Sequence, residues 1–174
     1  DGSLLLIKRY DIGGIFLPKK LTANGGSGFE FDFPTDLFTV NNFVLERSTD
    51  KIYIYGIFQE NGSFINKIAR LNADGSIDTA FNTDIGNIGI ENGLAMQADQ
   101  KVLMVGDFVR INNIPKSNIA RVNPDGTLDN GFETGSGFDI APNDLVVDSS
   151  GKIIVFGNFN SFDSVSRPNI ARLE

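Results

Sequence analysis

The chain repeats itself at a fixed distance, and that constrains its fold more than any single residue does. Ile119-Ala120-Arg121-Val122-Asn123-Pro124-Asp125-Gly126-Thr127-Leu128-Asp129-Asn130-Gly131-Phe132 restates Ile68-Ala69-Arg70-Leu71-Asn72-Ala73-Asp74-Gly75-Ser76-Ile77-Asp78-Thr79-Ala80-Phe81. The opening returns once more at Ile170-Ala171-Arg172-Leu173, so Ile68, Ile119 and Ile170 are spaced by 51 residues. A period of about fifty residues marks a repeat architecture in which each unit buries its apolar face against the next.

Each period reads as four strands, here named A to D. Strand B is a short apolar run rich in β-branched and aromatic residues: Lys51 to Phe58, Lys101 to Phe108, and Lys152 to Phe159. Such runs suit strands covered on both faces. A shorter strand A precedes each, at Phe43-Val44-Leu45, Leu94-Ala95-Met96 and Leu145-Val146-Val147, with a hairpin-sized polar link between. Strands C and D flank an Asn-x-Asp-Gly turn, where the glycine is expected to take the positive φ of a G1 bulge. An earlier, degenerate unit is legible in Gly2 to Tyr10 as a B strand, in Leu21 to Gly25 as a turn, and in Phe31. No segment has the helical period. Four antiparallel strands per repeat predict an all-β fold, a β-propeller of four-stranded antiparallel blades. The expected division of residues 1–174 is a partial blade over 1–41, blades over 42–91 and 92–142, and a partial blade over 143–174. About three and a half blades are then visible. The first lacks A and the last lacks D, so the expectation is a segment of a larger propeller, completed by the rest of a longer chain or by a second copy.

Composition narrows function by exclusion. With no Cys and no His, a Ser-His-Asp triad, Cys or His nucleophiles and the usual zinc sites are excluded. The net charge of −7 argues against nucleic acid as the main partner, which needs a basic face. No apolar run approaches the roughly 20 residues of a membrane-spanning helix, so membrane insertion is not expected.

The repeats resemble the delta-sixty repeat family of bacterial β-propellers. That family's pattern runs Asp-Gly-Lys-Ile-Leu-Val-Gly-Gly-x-Phe, a variable loop, then Ile-Ala-Arg-Leu-Asn-x-Asp-Gly-Ser-Leu-Asp-x-x-Phe. It is carried here at Gly151 to Phe159, at Lys101 to Phe108 and in both complete C–D hairpins. The first unit departs, with Lys19-Lys20-Leu21 for Ala-Arg-Leu and Gly28 for the aspartate. The resemblance implies a propeller in a large secreted, cell-surface or phage-associated protein. It implies no shared catalytic residue, and no metal or cofactor is expected.

The expected functional surface lies on the connections. The A–B and C–D turns are short and stereotyped. The B–C links (59–67, 109–118, 160–169) and D–A links (82–93, 133–144) differ in every unit, and in an antiparallel blade both kinds should lie on one face. Binding residues concentrate on loops held by a rigid scaffold. The candidates are Phe64, Asn66, Arg110, Asn112, Asn113 and Phe162, with Asp107 and Asn158 at the mouths of the B strands. A protein or glycan partner suits these side chains equally. The Asn72 to Asp78 stretch reads as a turn and not as a calcium loop, because its glycine falls at the fourth place and no bidentate Glu follows. Arg70 with Asp78, and Arg121 with Asp129, read as structural cross-strand pairs on one face, each contributing roughly 0.2–1 kcal/mol when exposed. Gly56, Gly106 and Gly157, inside the B strands, read as sites of close backbone approach near a central channel. The expected function is a non-enzymatic interaction or scaffold module. The alternatives are a propeller hydrolase or lyase drawing carboxylates from Asp107, Glu91 or Asp144, and a purely structural spacer in a phage tail or surface assembly.

Overall fold

The computed structural model describes residues 7–10, 16–19, 34–81, 83–85 and 91–174, with 7–10, 16–19, 91 and 92 described in their backbone alone. Sixteen strands and no helix are found among them, hence no helix long and apolar enough to cross a membrane. The expected first-unit turn at Leu21 to Gly25 and Phe31 lie outside the described residues.

Strands β1 (Ile7–Tyr10) and β2 (Phe16–Lys19) pair antiparallel, as the B and C strands of unit I should. Unit II is a four-stranded antiparallel sheet in the order β3 (Leu37–Glu46), β4 (Lys51–Glu60), β5 (Ser63–Leu71), β6 (Thr83–Asp84). Unit III pairs β7 (Glu91–Met96), β8 (Val102–Gly106) and β11 (Ile119–Val122), and carries a small hairpin of β9 (Arg110–Ile111) and β10 (Ile114–Pro115). Unit IV pairs β12 (Asp144–Val147), β13 (Ile153–Phe156) and β16 (Ile170–Leu173), with a hairpin of β14 (Ser161–Phe162) and β15 (Val165–Ser166). The A strands β3, β7 and β12 are neighbours from unit to unit, as the inner strands of propeller blades are. Among the described residues the sheets do not close into a ring.

The stacking follows from period-two alternation along the B strands. Tyr53 and Tyr55 of β4 join Val102 and Met104 of β8 in the core between units II and III. Leu103 and Val105, on the other side of β8, join Ile153 and Val155 of β13 between units III and IV. Each of these side chains is fully buried, and burial of one contributes about 1.5–3 kcal/mol. A B strand apolar on both faces is therefore one sheet shared by two cores. Edge-on aromatic contact adds to this, with Tyr53 and Phe81 perpendicular at 5.1 Å.

The strand glycines permit a close approach, but the neighbour is strand A of the same sheet. A Cβ on Gly56 would lie 2.1 Å from the Thr39 carbonyl oxygen, and one on Gly157 2.7 Å from Asn143 N. Beside Gly56, β3 carries two register irregularities, between Leu37 and Thr39 and between Val40 and Asn42. The glycine makes room for the bulged strand.

The fourth strand is weaker than the repeat predicts. Ile77 and Leu128 each make a single bridge, to Leu71 and Val122, before the chain turns away. The cause is the aspartate that follows. Asp78 Oδ1 accepts from Ala80 N at 3.0 Å and Asp129 Oδ1 from Gly131 N at 2.9 Å, Asx turns that bend the backbone out of the ladder. Unit II recovers a short D strand at β6; in unit III only the bridge remains. The C–D turns match expectation, with Gly75 and Gly126 at φ 94° and 87°.

A candidate interaction surface on the B–C hairpins

The B–C links are not loose loops. In unit II the link is one uninterrupted hairpin: Gln59 pairs with Phe64 and Ile57 with Asn66, so the expected loop over 59–67 is ladder, turned by Asn61-Gly62 alone. Asn112-Asn113 and Asp163-Ser164 make the same two-residue turn in units III and IV. All six residues have φ between 47° and 79°, the left-handed pair of a type I′ turn. The turns recur at the 51-residue period although their flanking side chains do not.

Their tips stitch neighbouring units together. Asn112 N donates to the Asp84 carbonyl at 2.6 Å, and Asn112 Oδ1 accepts from Asp84 N at 2.8 Å. Asn112 Nδ2 also donates to the Gly126 carbonyl at 2.9 Å. That carbonyl belongs to a C–D turn, so the expected separation of stereotyped and variable connections onto opposite faces is incomplete here. In unit IV, Asp163 N donates to the Gly137 carbonyl and Asp163 Oδ1 accepts from Ser136 N at 3.0 Å.

The structure divides the predicted residues by environment. Phe64 is half exposed and stacks at 4.8 Å on Phe38, also half exposed. Asn66 accepts from the buried Tyr55 hydroxyl at 3.1 Å, so it satisfies a core phenol. Asp107 and Asn158 are exposed just beyond β8 and β13. Arg110 and Asn113 are exposed on the β9–β10 hairpin that Asn112 anchors. Phe162 packs on Phe138 at 4.7 Å and lines a cleft of about 550 Å³ with Arg121, Phe132, Glu133, Arg167 and Arg172. Asp107, Arg110, Asn112 and Asn113 thus belong to one hairpin region, whereas Phe64 and Phe162 belong to the units on either side. Asp144 Oδ1 accepts from Leu145 N at 2.8 Å; the side chain of Glu91 lies outside the described residues.

Beyond Phe64, the exposed large apolar residues are Phe38, Val109, Ile114, Ile140, Val146, Phe156, Val165 and Ile170, none of them anticipated. For Val109, Ile114 and Val165 the signal was an apolar side chain within or beside a hairpin of only two paired rungs.

Arg70, Asp78 and Asp129 are buried and Arg121 is partly buried, so neither pair is the freely exposed kind. Arg70 Nε donates to Asp78 Oδ2 at 2.8 Å, and Arg121 Nε to Asp129 Oδ2 at the same distance. A lysine completes each cluster: Lys51 Nζ reaches Asp78 Oδ2 at 2.5 Å and Lys101 Nζ reaches Asp129 Oδ2 at 2.9 Å. The Lys51 hydrogen bond, with those from Ala80 N and Arg70, outweighs burial and holds the Asp78 carboxyl at about 2. Burial pushes Asp129 upward, but Lys101, Gly131 N and Arg121 together keep it below the ordinary value. Arg70 NH1 further donates to Tyr53 Oη at 3.2 Å and to the Pro124 carbonyl of unit III at 2.5 Å. Each cluster therefore locks its own hairpin, and Arg70 also locks the next unit. Asp74 Oδ1 is used within its turn, accepting from Ser76 N and Oγ, and no cluster of three or more metal-ligating side chains occurs among the described residues.

The family model described as domain of unknown function (DUF5122) beta-propeller matches residues 47–81, 97–132 and 149–174, more than half of the chain. The chain belongs to this DUF5122 β-propeller family. No curated protein and no solved structure matches it. The matched DUF5122 segments take in the A–B turns, the B and C strands, the Asn-x-Asp-Gly turns and the Arg–Asp–Lys clusters, together with the B–C hairpins. In the DUF5122 repeat of this chain, the architecture is thus held by side chains that recur, and the exposed apolar residues differ from unit to unit.

Proposed function

We propose that the chain is a non-enzymatic interaction and scaffold module, of the delta-sixty repeat type, in a secreted, cell-surface or virion protein. It engages a protein or glycan partner through the B–C hairpins and the D–A connections beside them. The observation that carries this reading is the distribution of exposed apolar side chains. Phe64, Val109, Ile114 and Val165 lie on or beside B–C hairpins, Ile140 lies on a D–A connection, and Phe38 stacks on Phe64. The type I′ turns beneath them keep these side chains on a preorganised backbone, which lowers the entropic cost of binding. Aromatic and arginine side chains are the common anchors of such surfaces, and Phe64, Phe38, Arg110 and Arg167 are exposed here.

The test uses Phe64→Ser with Arg110→Ala, both exposed and outside the core. Wild type and variant are compared on a glycan array and against a panel of purified surface proteins, with thermal melting as the control for folding. Partners that the wild type binds should be lost or weakened at least about tenfold. Undiminished binding by a variant that melts like the wild type refutes the hairpin surface.

A further inference from the structure

An asparagine followed by glycine is open to spontaneous loss of its side-chain amide, because glycine places no Cβ in the way when its backbone nitrogen turns toward the preceding side chain. The chain carries this dipeptide at Asn24-Gly25, Asn61-Gly62, Asn92-Gly93 and Asn130-Gly131. The first lies outside the described residues. The other three differ in what holds the glycine and in the room around it.

Gly131 N donates to Asp129 Oδ1 at 2.9 Å, so attack by that nitrogen first requires the loss of a hydrogen bond to a charged group. Gly93 sits in the β7–β8 ladder opposite Val105, so crowded that a Cβ there would lie 2.5 Å from Asp144 Oδ1. The Asp-Gly pairs of the C–D turns are held as well. Gly75 N donates to the Asn72 carbonyl and Gly126 N to the Asn123 carbonyl, each at 2.9 Å. Asn61 and Gly62 are different. Both are exposed, and they form the whole turn beyond Glu60–Ser63, the last rung of β4 and β5. A side chain at Gly62 would meet nothing within 4 Å. Neither Gly62 N nor the Asn61 side chain makes a hydrogen bond among the described residues. The equivalent turns are pinned, Asn112 to Asp84 and Gly126, Asp163 to Ser136 and Gly137. Ring closure needs Asn61 to leave its left-handed backbone, φ 51°, and a short tip with no side-chain lock opens locally at little cost.

We propose that Asn61 is a site of spontaneous, one-way modification that turns a neutral hairpin tip into an acidic and lengthened one. Gly62 N loses its proton and bonds to Asn61 Cγ; the Cγ–Nδ2 bond breaks and ammonia leaves, which gives a five-membered imide. Water then opens one of the two imide C–N bonds. Opening at Cγ gives aspartate, and opening at the Asn61 backbone carbonyl gives isoaspartate. The isoaspartate carries the main chain through Cβ and Cγ, which adds a backbone atom to a turn built for two residues. The Glu60–Ser63 rung is thereby unseated, and Phe64, next along β5, loses the fixed position from which it stacks on Phe38. The inference rests on the geometry of the turns and is independent of the proposed partner surface on the hairpins.

The 174-residue chain is held folded in mildly alkaline buffer and sampled by peptide mapping, with isoaspartate labelled by an isoaspartyl methyltransferase. A parallel sample is unfolded in urea. In urea, Asn61 and Asn130 should convert at similar rates, since each precedes glycine. In the folded chain, Asn61 should convert at least about tenfold faster than Asn130, the effect of the hydrogen bond that holds Gly131 N. The isoaspartate fraction, isolated by ion exchange, should show faster hydrogen exchange at the Ser63 amide with β8 unchanged. Asn61→Gln, whose longer side chain closes the ring far more slowly, should stay intact and keep the slow exchange. Conversion of Asn130 as fast as Asn61 in the folded chain overturns the assignment. So does an Asn61 that keeps its amide in the folded chain through the time that converts it fully in urea. Unchanged exchange at Ser63 in the isoaspartate fraction overturns the effect on the hairpin.

Discussion

Asp78→Asn separates the charge of the Arg–Asp–Lys cluster from its geometry. The asparagine keeps an Oδ1 that can accept from Ala80 N, so the Asx turn survives. It removes the negative charge shared by Lys51 Nζ at 2.5 Å and Arg70 Nε at 2.8 Å. The magnitude follows from the carboxyl itself. Held at about 2 in place of the ordinary 3.8, it favours the charged folded form by about 2 kcal/mol. The folded-state value is the depressed one. This stabilisation is therefore complete above about pH 4 and is lost as the pH falls through about 2. At pH 7 the variant should unfold about 2 kcal/mol more easily in urea, equivalent to a melting point lower by roughly 4–8 °C in a domain of this size. The gap between wild type and variant should close as the pH is lowered from 4 toward 2. Two results would refute the reasoning: a loss below about 0.5 kcal/mol, the value of an exposed pair, or a loss that does not change across that pH range.

Two further substitutions test the joints of the fold. Gly56→Ala places a Cβ 2.1 Å from the Thr39 carbonyl, so it should cost about 2–3 kcal/mol in urea unfolding, and a neutral outcome would show that no close approach exists there. Asn112→Ala removes the side-chain bonds to Asp84 N and Gly126 O and leaves alanine at φ 49°; it should cost about 1–3 kcal/mol and speed hydrogen exchange at the Asp84 amide, whereas Asn112→Gly should recover the backbone part of that loss. An Asp84 amide that exchanges no faster in the alanine variant would exclude the stitch between units II and III.

What the sequence made legible was whatever repeats. The spacing of Ile68, Ile119 and Ile170 announces stacked units, and the doubly apolar B strands predict that each sheet serves two cores, as Tyr55 and Met104 or Val105 and Val155 do. The Arg70–Asp78 register follows from counting outward from the turn. Burial of that pair did not follow, because it depends on Pro124 and Tyr53, which reach Arg70 from another unit and another strand. Lys51 lies 27 residues from Asp78, too far for a local pattern to expose. The D strands failed for a different reason. Propensity continues the strand past Ile77, but the Asp78 side chain competes for the backbone and wins a turn.

The candidate surface was harder to read, for a physical reason that lies in the turns themselves. Variation in the B–C links suggested loops, yet Asn61-Gly62, Asn112-Asn113 and Asp163-Ser164 all solve one backbone problem, a left-handed two-residue turn, with different chemistry. Asparagine, aspartate and glycine tolerate positive φ most readily, and serine takes it here at Ser164, φ 61°. The turn is thus conserved in conformation while its letters change. Within these turns, Asn112 and Asp163 are further drawn into holding the preceding unit. Residues that looked free to bind are therefore occupied by structure. The surface free to evolve is displaced to the flanking rungs, where Phe64, Arg110, Ile114 and Val165 stand exposed on a backbone fixed by its neighbours. On the proposed reading, such a repeat changes its partner without changing its stacking, because the exposed side chains proposed to bind and those that lock adjacent units belong to different positions of the same hairpin.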